Sequence, residues 1–406
     1  MITTAKGSFG SKTDMSSFRP LEDQNRIRVV DALRGLALLG ILVANIPIAN
    51  NADEVFASSR IFLGTPGSDK WLEMLFHFFI DKKFITIFSI LFGFGFYIQL
   101  KRAEEQHVAF RSYYFKRMLI LLLIGCLHAY LIWFGDITRD YAICGIFLLM
   151  VYHWPVKRIL ILSFVFSVLL TGTVFILNGV LELQKYSYDP GIIWEMPVAT
   201  SYQRYIAINA TVDPFINFIQ DSPITLVFAF GNMLLGFWMG KSGFFKRPVT
   251  FNPLRKKLII GGILLGIPAS YFFWLVTTGK IELSIPLLWL PYVIVAGMIL
   301  QSLFYISAFV ELWKYKIWYK LLRPFEKVGR MALTNYMLQT VFYLVVFFHW
   351  FPGGLHLYGK LSLTETYLLS LLLFAIQVVI SHLWLNKFMQ GPVEYLWKKL
   401  AYAGTK

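Results

Sequence analysis

Residues 27–49 read IRVVDALRGLALLGILVANIPIA, an apolar run of the length that an α-helix needs to cross a bilayer. The run nevertheless carries Asp31 and Arg34 one helical turn apart, and Asn45 towards its other end. A charge at the centre of a membrane helix costs roughly 2.5–3.5 kcal/mol on insertion scales, so such groups usually face the interior of a helix bundle. The stretch therefore favours a polar site among membrane helices, with a neutralised ion pair at the membrane surface as the alternative.

The composition of the whole chain is typical of a membrane protein. Of its 406 residues, 57% are hydrophobic and only 15% are charged, whereas soluble proteins are usually about 25% charged. We predict an all-α polytopic membrane protein, a bundle of about ten transmembrane helices with both termini in the cytoplasm. The predicted spans are 27–49, 71–99, 117–134, 138–153, 158–180, 223–240, 257–277, 285–310, 329–350 and 364–386.

The net charge of +15 arises from Lys and Arg residues that lie between the apolar runs rather than on one soluble face. This distribution indicates topology and contact with anionic lipid, and it argues against nucleic acid as a partner. Basic loops alternate with less basic loops, which predicts an even number of spans. We expect residues 1–25 to form a disordered cytoplasmic tail, residues 26–400 a single transmembrane helical domain, and residues 181–222 an external segment with interfacial helices.

The second predicted span contains a cluster of ionisable residues, with His77, Asp81, Lys82 and Lys83 near the middle of the membrane. Three charges at that depth are too costly to face lipid, so they must point into the bundle, line a water-filled cavity or mark a break in the helix. Asp81 and Lys83 are two residues apart and do not share a helical face, so they can pair only if the backbone bends. We favour a substrate-binding cavity over a purely structural ion pair.

The turn between the third and fourth predicted spans brings several reactive groups close together in sequence. His128 lies in the outer half of its helix, and Asp136 and Asp140 follow in a tight turn. A histidine oriented by a carboxylate is the minimum arrangement for general-base catalysis near neutral pH. Two other interpretations stay open, because His128 can simply bond across helices and Asp136 can simply cap the next helix.

The ninth predicted span carries Asn335 and Gln339 on one helical face, four residues apart. Amides in membrane helices often hold neighbouring helices together, and substrate binding is the alternative role. Both Cys126 and Cys144 fall inside apolar runs, and the histidine spacings are not those of a metal site. We therefore predict no metal and no firmly bound cofactor.

Six segments of the chain together resemble the YeiB family of bacterial inner-membrane proteins, which is catalogued as a domain of unknown function. The matching segments are DALRGLALLGILVAN (31–45), FIDKKFITIFSILFGFGF (79–96), LLLIGCLHAYLIWFGDITRDYAICG (121–145), GNMLLGFWMGKSGFF (231–245), VGRMALTNYMLQT (328–340) and GPVEYLW (391–397). The resemblance runs from the first span to the C-terminal tail. It implies a multi-pass protein of the bacterial inner membrane.

The YeiB family is similar, more remotely, to transmembrane acyltransferases that carry an acetyl group from cytosolic acetyl-CoA to a sugar across the membrane. The shared pattern in the first span is Asp31, Arg34 and Gly35, followed by a polar residue. These enzymes include sugar O-acyltransferases and a lysosomal branch, the heparan-glucosaminide N-acetyltransferase. The polar residue is typically His in the first branch and Asn in the lysosomal branch, and this chain has Asn45. The first span therefore matches the scaffold of these enzymes without supplying a histidine.

The second span shows the same partial match. Asp81 matches the second-span Asp of the lysosomal branch, but the active-site His that precedes that motif has no counterpart near Trp71. His128 and His77 are the nearby candidates to replace the missing base. Fold-level similarity of this kind implies a scaffold, and the chemistry has to be argued from the site itself.

The first hypothesis for function is an integral membrane acyltransferase that uses acyl-CoA as co-substrate. In it His128, oriented by Asp136 or Asp140, activates the acceptor, and Asn45 donates a hydrogen bond to the oxyanion. The side chains expected to attract the CoA phosphates are Arg26, Arg28, Arg34 and Arg117. The substrate-binding residues would be Asp31, Arg34, Asp81, Lys83, Asp140, Asn335 and Gln339.

Two further hypotheses belong to other classes of protein. The intramembrane charges Asp81, Lys82 and Lys83 fit the coupling site of a transporter or exporter of a small molecule equally well. A non-catalytic membrane scaffold or lipid-binding protein is the third. In each case the expected partners are the lipid bilayer and a small molecule, and the sequence is also compatible with a homo-oligomer.

Overall fold

The computed structural model describes six stretches of the chain, and the regular elements within them are all helices. The described residues are 26–50, 67–107, 109–180, 192–212, 223–245 and 252–402. The predicted tail, 1–25, lies outside them. The helices of the first half are α1 (Arg28–Asn50), α2 (Gly67–Phe79), α3 (Lys83–Glu105), α4 (Phe110–Leu131), α5 (Thr138–Val151), α6 (Val156–Phe164), α7 (Thr171–Val180), α8 (Ile192–Val198) and α9 (Tyr202–Val212).

The second half of the chain continues the bundle. Its helices are α10 (Pro223–Ser242), α11 (Asn252–Gly261), α12 (Ile267–Thr277), α13 (Leu290–Leu312), α14 (Lys316–Arg330), α15 (Ala332–Phe347), α16 (Leu363–Lys387) and α17 (Pro392–Tyr402). Short π-helical stretches, Val165–Leu170 and Gly262–Gly266, join α6 to α7 and α11 to α12. Each of these two pairs therefore forms one continuous helical segment.

Eight helical segments in the described part of the chain are long and apolar enough to cross a membrane. The other two predicted spans, 138–153 and 329–350, correspond to α5 and α15, which have 14 and 16 residues. Both are shorter than the roughly 20 residues that a crossing usually needs. Helix α5 begins at the predicted residue and ends two residues early, whereas α15 begins only after a helix break at Met331 and ends three residues early.

Helix α1 lies at the centre of the bundle, where it packs against α3, α14, α15 and α16. Its contact with α14 brings two backbones together. A Cβ at Gly35 would lie 2.1 Å from the carbonyl oxygen of Phe325, and a Cβ at Gly329 would lie 1.8 Å from that of Asp31. Buried apolar side chains of α1 join one core cluster with α15 and another with α3 and α13.

The two ends of the bundle differ in charge. We call the end where α1 begins the basic end, because Arg28, Lys320 and Arg323 lie together there. We call the opposite end, where α1 finishes at Asn50, the far end.

The second crossing is broken between α2 and α3, which is one of the three predicted outcomes. Lys82 at the break has a φ of 62°, in the left-handed region. The carbonyl groups that the break frees are bonded by side chains: Lys83 donates to His77, and Gln301 donates to Phe78 at 2.6 Å. Unbonded backbone groups cost several kcal/mol inside a membrane, so these donors stabilise the break.

Two helices of the external segment 181–222, α8 and α9, are described by the structure, whereas 181–191 and 213–222 lie outside it. Helix α9 packs on the last turn of α4. The Asn209 Nδ2 atom lies 2.6 Å from the carbonyl oxygen of Ala129 and 2.9 Å from that of Tyr130, and the Tyr205 hydroxyl donates to the carbonyl of Ile132. The carbonyl groups at the end of α4 are thereby satisfied from outside the helix.

Candidate functional site

A central cavity of about 240 Å³ is bounded by α1, α3, α4, α5, α14, α15 and α17. Its basic end is lined by Arg34, Arg117, Arg330 and Glu394, together with Gln99. The other polar lining residues are Thr138, Tyr141 and Tyr336, and most of the remaining wall is aromatic or aliphatic. The cavity therefore combines cations at one end with an apolar wall and hydroxyl groups further in.

Arg34 reaches the cavity from the second turn of α1. One of its nitrogens lies 2.6 Å from Asp31 Oδ1, and Arg26 lies 3.4 Å from Asp31 Oδ2. The Asp31 carboxylate thus pairs with two guanidinium groups, so the cluster of these three residues carries a net positive charge. Gly95 on α3 faces this group, because a Cβ placed there would lie 3.4 Å from an Arg34 nitrogen.

The C-terminal helix α17 contributes two of the lining residues. The Arg117 guanidinium lies 3.8 Å from the centre of the Trp397 ring, and the Trp397 indole donates to the Arg117 carbonyl at 2.8 Å. Stacking of this kind holds a guanidinium in a fixed plane. Trp397 therefore orients Arg117 at the rim of the cavity.

Glu394 caps the first turn of α15, where the chain resumes after the break at Met331. Its carboxylate accepts hydrogen bonds from the backbone nitrogens of Leu333 (2.7 Å) and Thr334 (3.1 Å) and from the Thr334 hydroxyl. A carboxylate at a helix N-terminus also interacts favourably with the helix dipole. Burial raises the pKa of Glu394 above its usual value, although the hydrogen bonds from Thr334 and Leu333 act in the opposite direction.

His128 and Asp136 lie beyond the hydroxyl-bearing part of the cavity, and both are buried. The His128 Nδ1 atom is 2.7 Å from Asp136 Oδ2, and its Nε2 atom is 3.2 Å from the Thr340 hydroxyl. Because the carboxylate can only accept, it places the proton on Nδ1 and leaves Nε2 to act as an acceptor. Thr340, His128 and Asp136 are thus joined in the order hydroxyl, imidazole, carboxylate. Hydrolase triads use the same order to activate their nucleophile.

Tyr336 separates this pair from the cavity. Its ring centre lies 5.7 Å from that of His128, and its hydroxyl accepts from the Ile137 backbone nitrogen at 3.2 Å. Both structural contacts that the sequence left open are present: His128 reaches Thr340 of α15, and the second Asp136 oxygen accepts from the Arg139 backbone nitrogen at 2.8 Å, in the first turn of α5.

Four other predicted site residues are not among the residues that line the cavity. Asp81 and Lys83 belong to the break in the second crossing, where the Asp81 carboxylate pairs with His77 Nδ1 at 3.2 Å. Asp140 lies in the first turn of α5, with one oxygen 3.9 Å from Arg139 Nε. Asn45 lies beside the hydroxyl of Tyr343, in the far half of α1.

The two amides of α15 hold helices together. Asn335 Nδ2 lies 3.0 Å from the Val328 carbonyl oxygen and 2.9 Å from the Ser381 hydroxyl. Gln339 Nε2 lies 3.1 Å from both the Leu38 carbonyl oxygen and Gln377 Oε1. These bonds link α15 to α1 and α16, in agreement with the first of the two roles predicted for amides in this helix.

Sequence reasoning did not select Arg330, Tyr336, Thr340, Glu394 or Trp397. The segments 328–340 and 391–397 were both quoted for the family resemblance, yet neither carried a chemical assignment for these side chains. A glutamate and a tryptophan in a short helix after the last span were the available signal. Within the described residues, no group of three or more His, Cys, Asp and Glu side chains converges as a metal site would require.

The fold and the cavity define a class, the multi-pass helical membrane proteins with an internal, partly charged cavity. The chain belongs to the YeiB-like family of such proteins. A family described as "Protein of unknown function (DUF418)" matches residues 239–404. The uncharacterized protein YxaH of Bacillus subtilis (strain 168) is 32% identical over 96% of this chain and 97% of its own length.

Two other relatives match at nearly full length. The uncharacterized protein YeiB of Escherichia coli (strain K12) is 27% identical over 91% of this chain and 95% of its own. An uncharacterized 39.9 kDa protein in the amylase 3' region of Bacillus acidopullulyticus is 27% identical over 94% and 96%. No solved structure matches the chain.

Proposed function

We propose that the protein is an acyltransferase of the bacterial inner membrane that moves an acyl group from cytoplasmic acyl-CoA to an acceptor at or across the membrane. The observation that carries this proposal is one cavity with arginines at its basic end and a buried His128–Asp136 pair behind Tyr336. The remote resemblance of the first two spans to transmembrane acyltransferases agrees with it.

The cavity matches the chemistry of an acyl-CoA in two parts. Arg34, Arg117 and Arg330 supply planar guanidinium groups, which bind phosphates well. The apolar wall behind them, which includes Phe92 and Met118, suits a pantetheine arm and a short acyl chain. From the alternation of basic and less basic loops we infer that the basic end faces the cytoplasm, where CoA esters are found.

The proposed reaction follows from the hydrogen bonds of His128. An acceptor hydroxyl or amine displaces the Thr340 hydroxyl from Nε2, and His128 removes its proton as it attacks the thioester carbonyl. Asp136 stabilises the imidazolium that forms. The tetrahedral intermediate then expels the CoA thiolate, which takes the proton from His128. Asn45 of α1 lies beside Tyr343, which is one helical turn from Thr340 on α15. Asn45 is therefore the candidate donor to the oxyanion.

The test is the release of free thiol from acyl-CoA by the purified protein, followed with a thiol reagent. We expect release with at least one member of a panel of short- and long-chain acyl-CoAs. Arg34→Gln should raise the KM for acyl-CoA, whereas Lys257→Gln, which removes an exposed cation on α11, should not. If no acyl-CoA is consumed with broad panels of hydroxyl and amine acceptors, or if wild-type release survives His128→Ala, this mechanism is wrong.

A transporter is the second candidate, and the broken second crossing favours it. Discontinuous helices with charged groups at mid-membrane are typical of transporter binding sites, and α2–α3 has His77, Asp81 and Lys83 at its break. Solute flux into proteoliposomes without acyl-CoA, abolished by Asp81→Asn but not by His128→Gln, would establish transport in place of acyl transfer.

A further inference from the structure

A second cavity, of about 610 Å³, lies at the basic end between α14 and α16, and we call it the lateral groove. Among its described lining residues, Glu326 is the one carboxylate. The Lys and Arg residues that line it are Arg28, Lys320, Arg323, Lys327 and Arg330. The groove therefore carries a strong excess of positive charge.

Helix α14 supplies most of these cations and is strongly amphipathic. Its basic residues recur at alternating intervals of four and three, so they form one stripe along the helix. The stripe is Lys316, Lys320, Arg323, Lys327 and Arg330. Ile317, Trp318 and Leu321 are large apolar residues of the same helix, and they are 79%, 42% and 61% exposed. A helix with a basic stripe and exposed Trp and Leu side chains is typical of the membrane–water interface.

The opposite wall of the lateral groove belongs to α16, which is long and apolar enough to cross a membrane. Val379 and Leu383 of that helix line the groove and are 56% and 61% exposed. Cations at the membrane surface beside an exposed apolar helix fit a phosphate headgroup whose acyl chains run down the helix. A free phosphate ion would gain nothing from this apolar wall.

The cations of the groove also interact unfavourably with one another. Burial lowers the pKa of Lys327, and the neighbouring guanidinium groups of Arg330 and Arg323 lower it further. The Lys327 ammonium donates a hydrogen bond to the neutral Asn386 side chain at 2.9 Å, and Glu326 offsets the repulsion only in part. A bound anion would relieve this repulsion.

We propose that the lateral groove binds the headgroup of an anionic phospholipid from the surrounding leaflet. Two phosphates would compensate about half of the net positive charge of the groove and one phosphate only about a quarter. A lipid with two phosphates in its headgroup, such as cardiolipin, should therefore bind more tightly than phosphatidylglycerol. Arg330 lines both the groove and the central cavity, so the lipid is held beside the candidate site. The inference does not depend on acyl transfer, because it concerns binding alone.

The experiment uses the full-length protein, delipidated in detergent, and fluorescent cardiolipin displaced by unlabelled competitors. The double variant Lys320→Gln/Arg323→Gln should lower affinity by at least about tenfold, since each cation near a membrane surface contributes about fivefold. Lys256→Gln/Lys257→Gln removes two exposed charges on α11 and is the matched control, expected to change affinity by less than about twofold.

Three results would overturn the proposal. Displacement by phosphatidylcholine as good as by cardiolipin would show that charge is irrelevant. Displacement by inorganic phosphate or pyrophosphate at the same concentrations would show a soluble anion site. Equal losses in both double variants would show a general effect of net charge. If the Lys320→Gln/Arg323→Gln protein fails to fold, Arg28→Gln tests the same groove from α1, and unchanged cardiolipin affinity in that variant would count against the proposal.

Discussion

Two pairs of histidine and aspartate, each with a buried histidine, lie in the described part of this protein, and their surroundings differ. His77 and Asp81 lie at the break between α2 and α3, where the neighbouring Lys83 donates to a backbone carbonyl. His128 and Asp136 lie at the turn between α4 and α5, with a hydroxyl on Nε2 and a cavity behind one aromatic ring. The first pair belongs to a helix break whose free backbone carbonyls are bonded by side chains.

The comparison teaches that a histidine beside a carboxylate does not define a catalytic site. In the broken crossing, the nearby polar groups bond to carbonyls of the chain itself, so they are used for structure. On the other side of Tyr336 from His128, the open space and the arginines of the central cavity leave room for a ligand. The four predictions that follow test this division.

The largest expected effect is a difference in transfer activity between variants of His128 and of His77. His128→Gln should lower the rate of acyl-CoA-dependent transfer by about 10²–10⁴-fold, because it removes the general base. His77→Gln should leave the rate nearly unchanged. Both are measured as thiol release at saturating acyl-CoA. Equal losses in the two variants would remove the distinction between the pairs.

The second prediction compares how Lys83 and Lys82 contribute to the stability of the folded protein. Lys83→Met should lower the free energy of unfolding by about 1–3 kcal/mol, because it leaves the buried carbonyl of His77 without its hydrogen-bond donor. Lys82→Met, at the exposed neighbouring position, is the control and should change it little. Thermal unfolding in detergent reports both, and a Lys83→Met protein as stable as wild type would contradict this account of the break.

The third prediction concerns the planarity of Arg117. Arg117→Lys keeps the charge but loses the stacking on Trp397, which is worth about 0.5–2 kcal/mol. We expect weaker acyl-CoA binding with kcat nearly unchanged, seen as a rise in KM. Lys241→Gln provides a control away from the cavity lining. A fall in kcat with unchanged KM would show that Arg117 acts after binding.

The smallest effect concerns pH and Glu394. Its pKa is raised in the folded protein, so its stabilising contribution is complete below the usual glutamate pKa of about 4.3 and is lost as pH rises through the higher folded value. Wild-type Tm should therefore decline over the pH range just above that usual value. Glu394→Gln should show a flatter Tm profile over the same range. Parallel profiles in the two proteins would mean that Glu394 does not titrate there.

Much of the fold was predictable because long apolar runs determine membrane helices almost directly. The first run, 27–49, corresponds closely to Arg28–Asn50. The runs 138–153 and 329–350 are less informative, since hydropathy does not show where a helix stops. The turn after α4 and the break at Met331 depend on tertiary hydrogen bonds, such as those from Leu333 and Thr334 to Glu394.

The site was only partly predictable for a similar reason. His128, Asp136 and Arg34 stand out as polar groups in apolar runs, and periodicity suffices to find them. Glu394 and Trp397 follow the last span in a stretch that looks like an ordinary tail, and only the three-dimensional structure brings them to Arg117 and α15. Asp81 and Lys83 were equally prominent in sequence, yet the backbone break places their cluster elsewhere.

The position of α9 has a consequence for the mobility of His128. The Asn209 amide donates to the carbonyls of Ala129 and Tyr130, the two residues immediately after His128. These bonds tie the last turn of α4 to a helix outside the membrane-spanning set. A displacement of α9 would therefore be transmitted to the backbone that carries the imidazole.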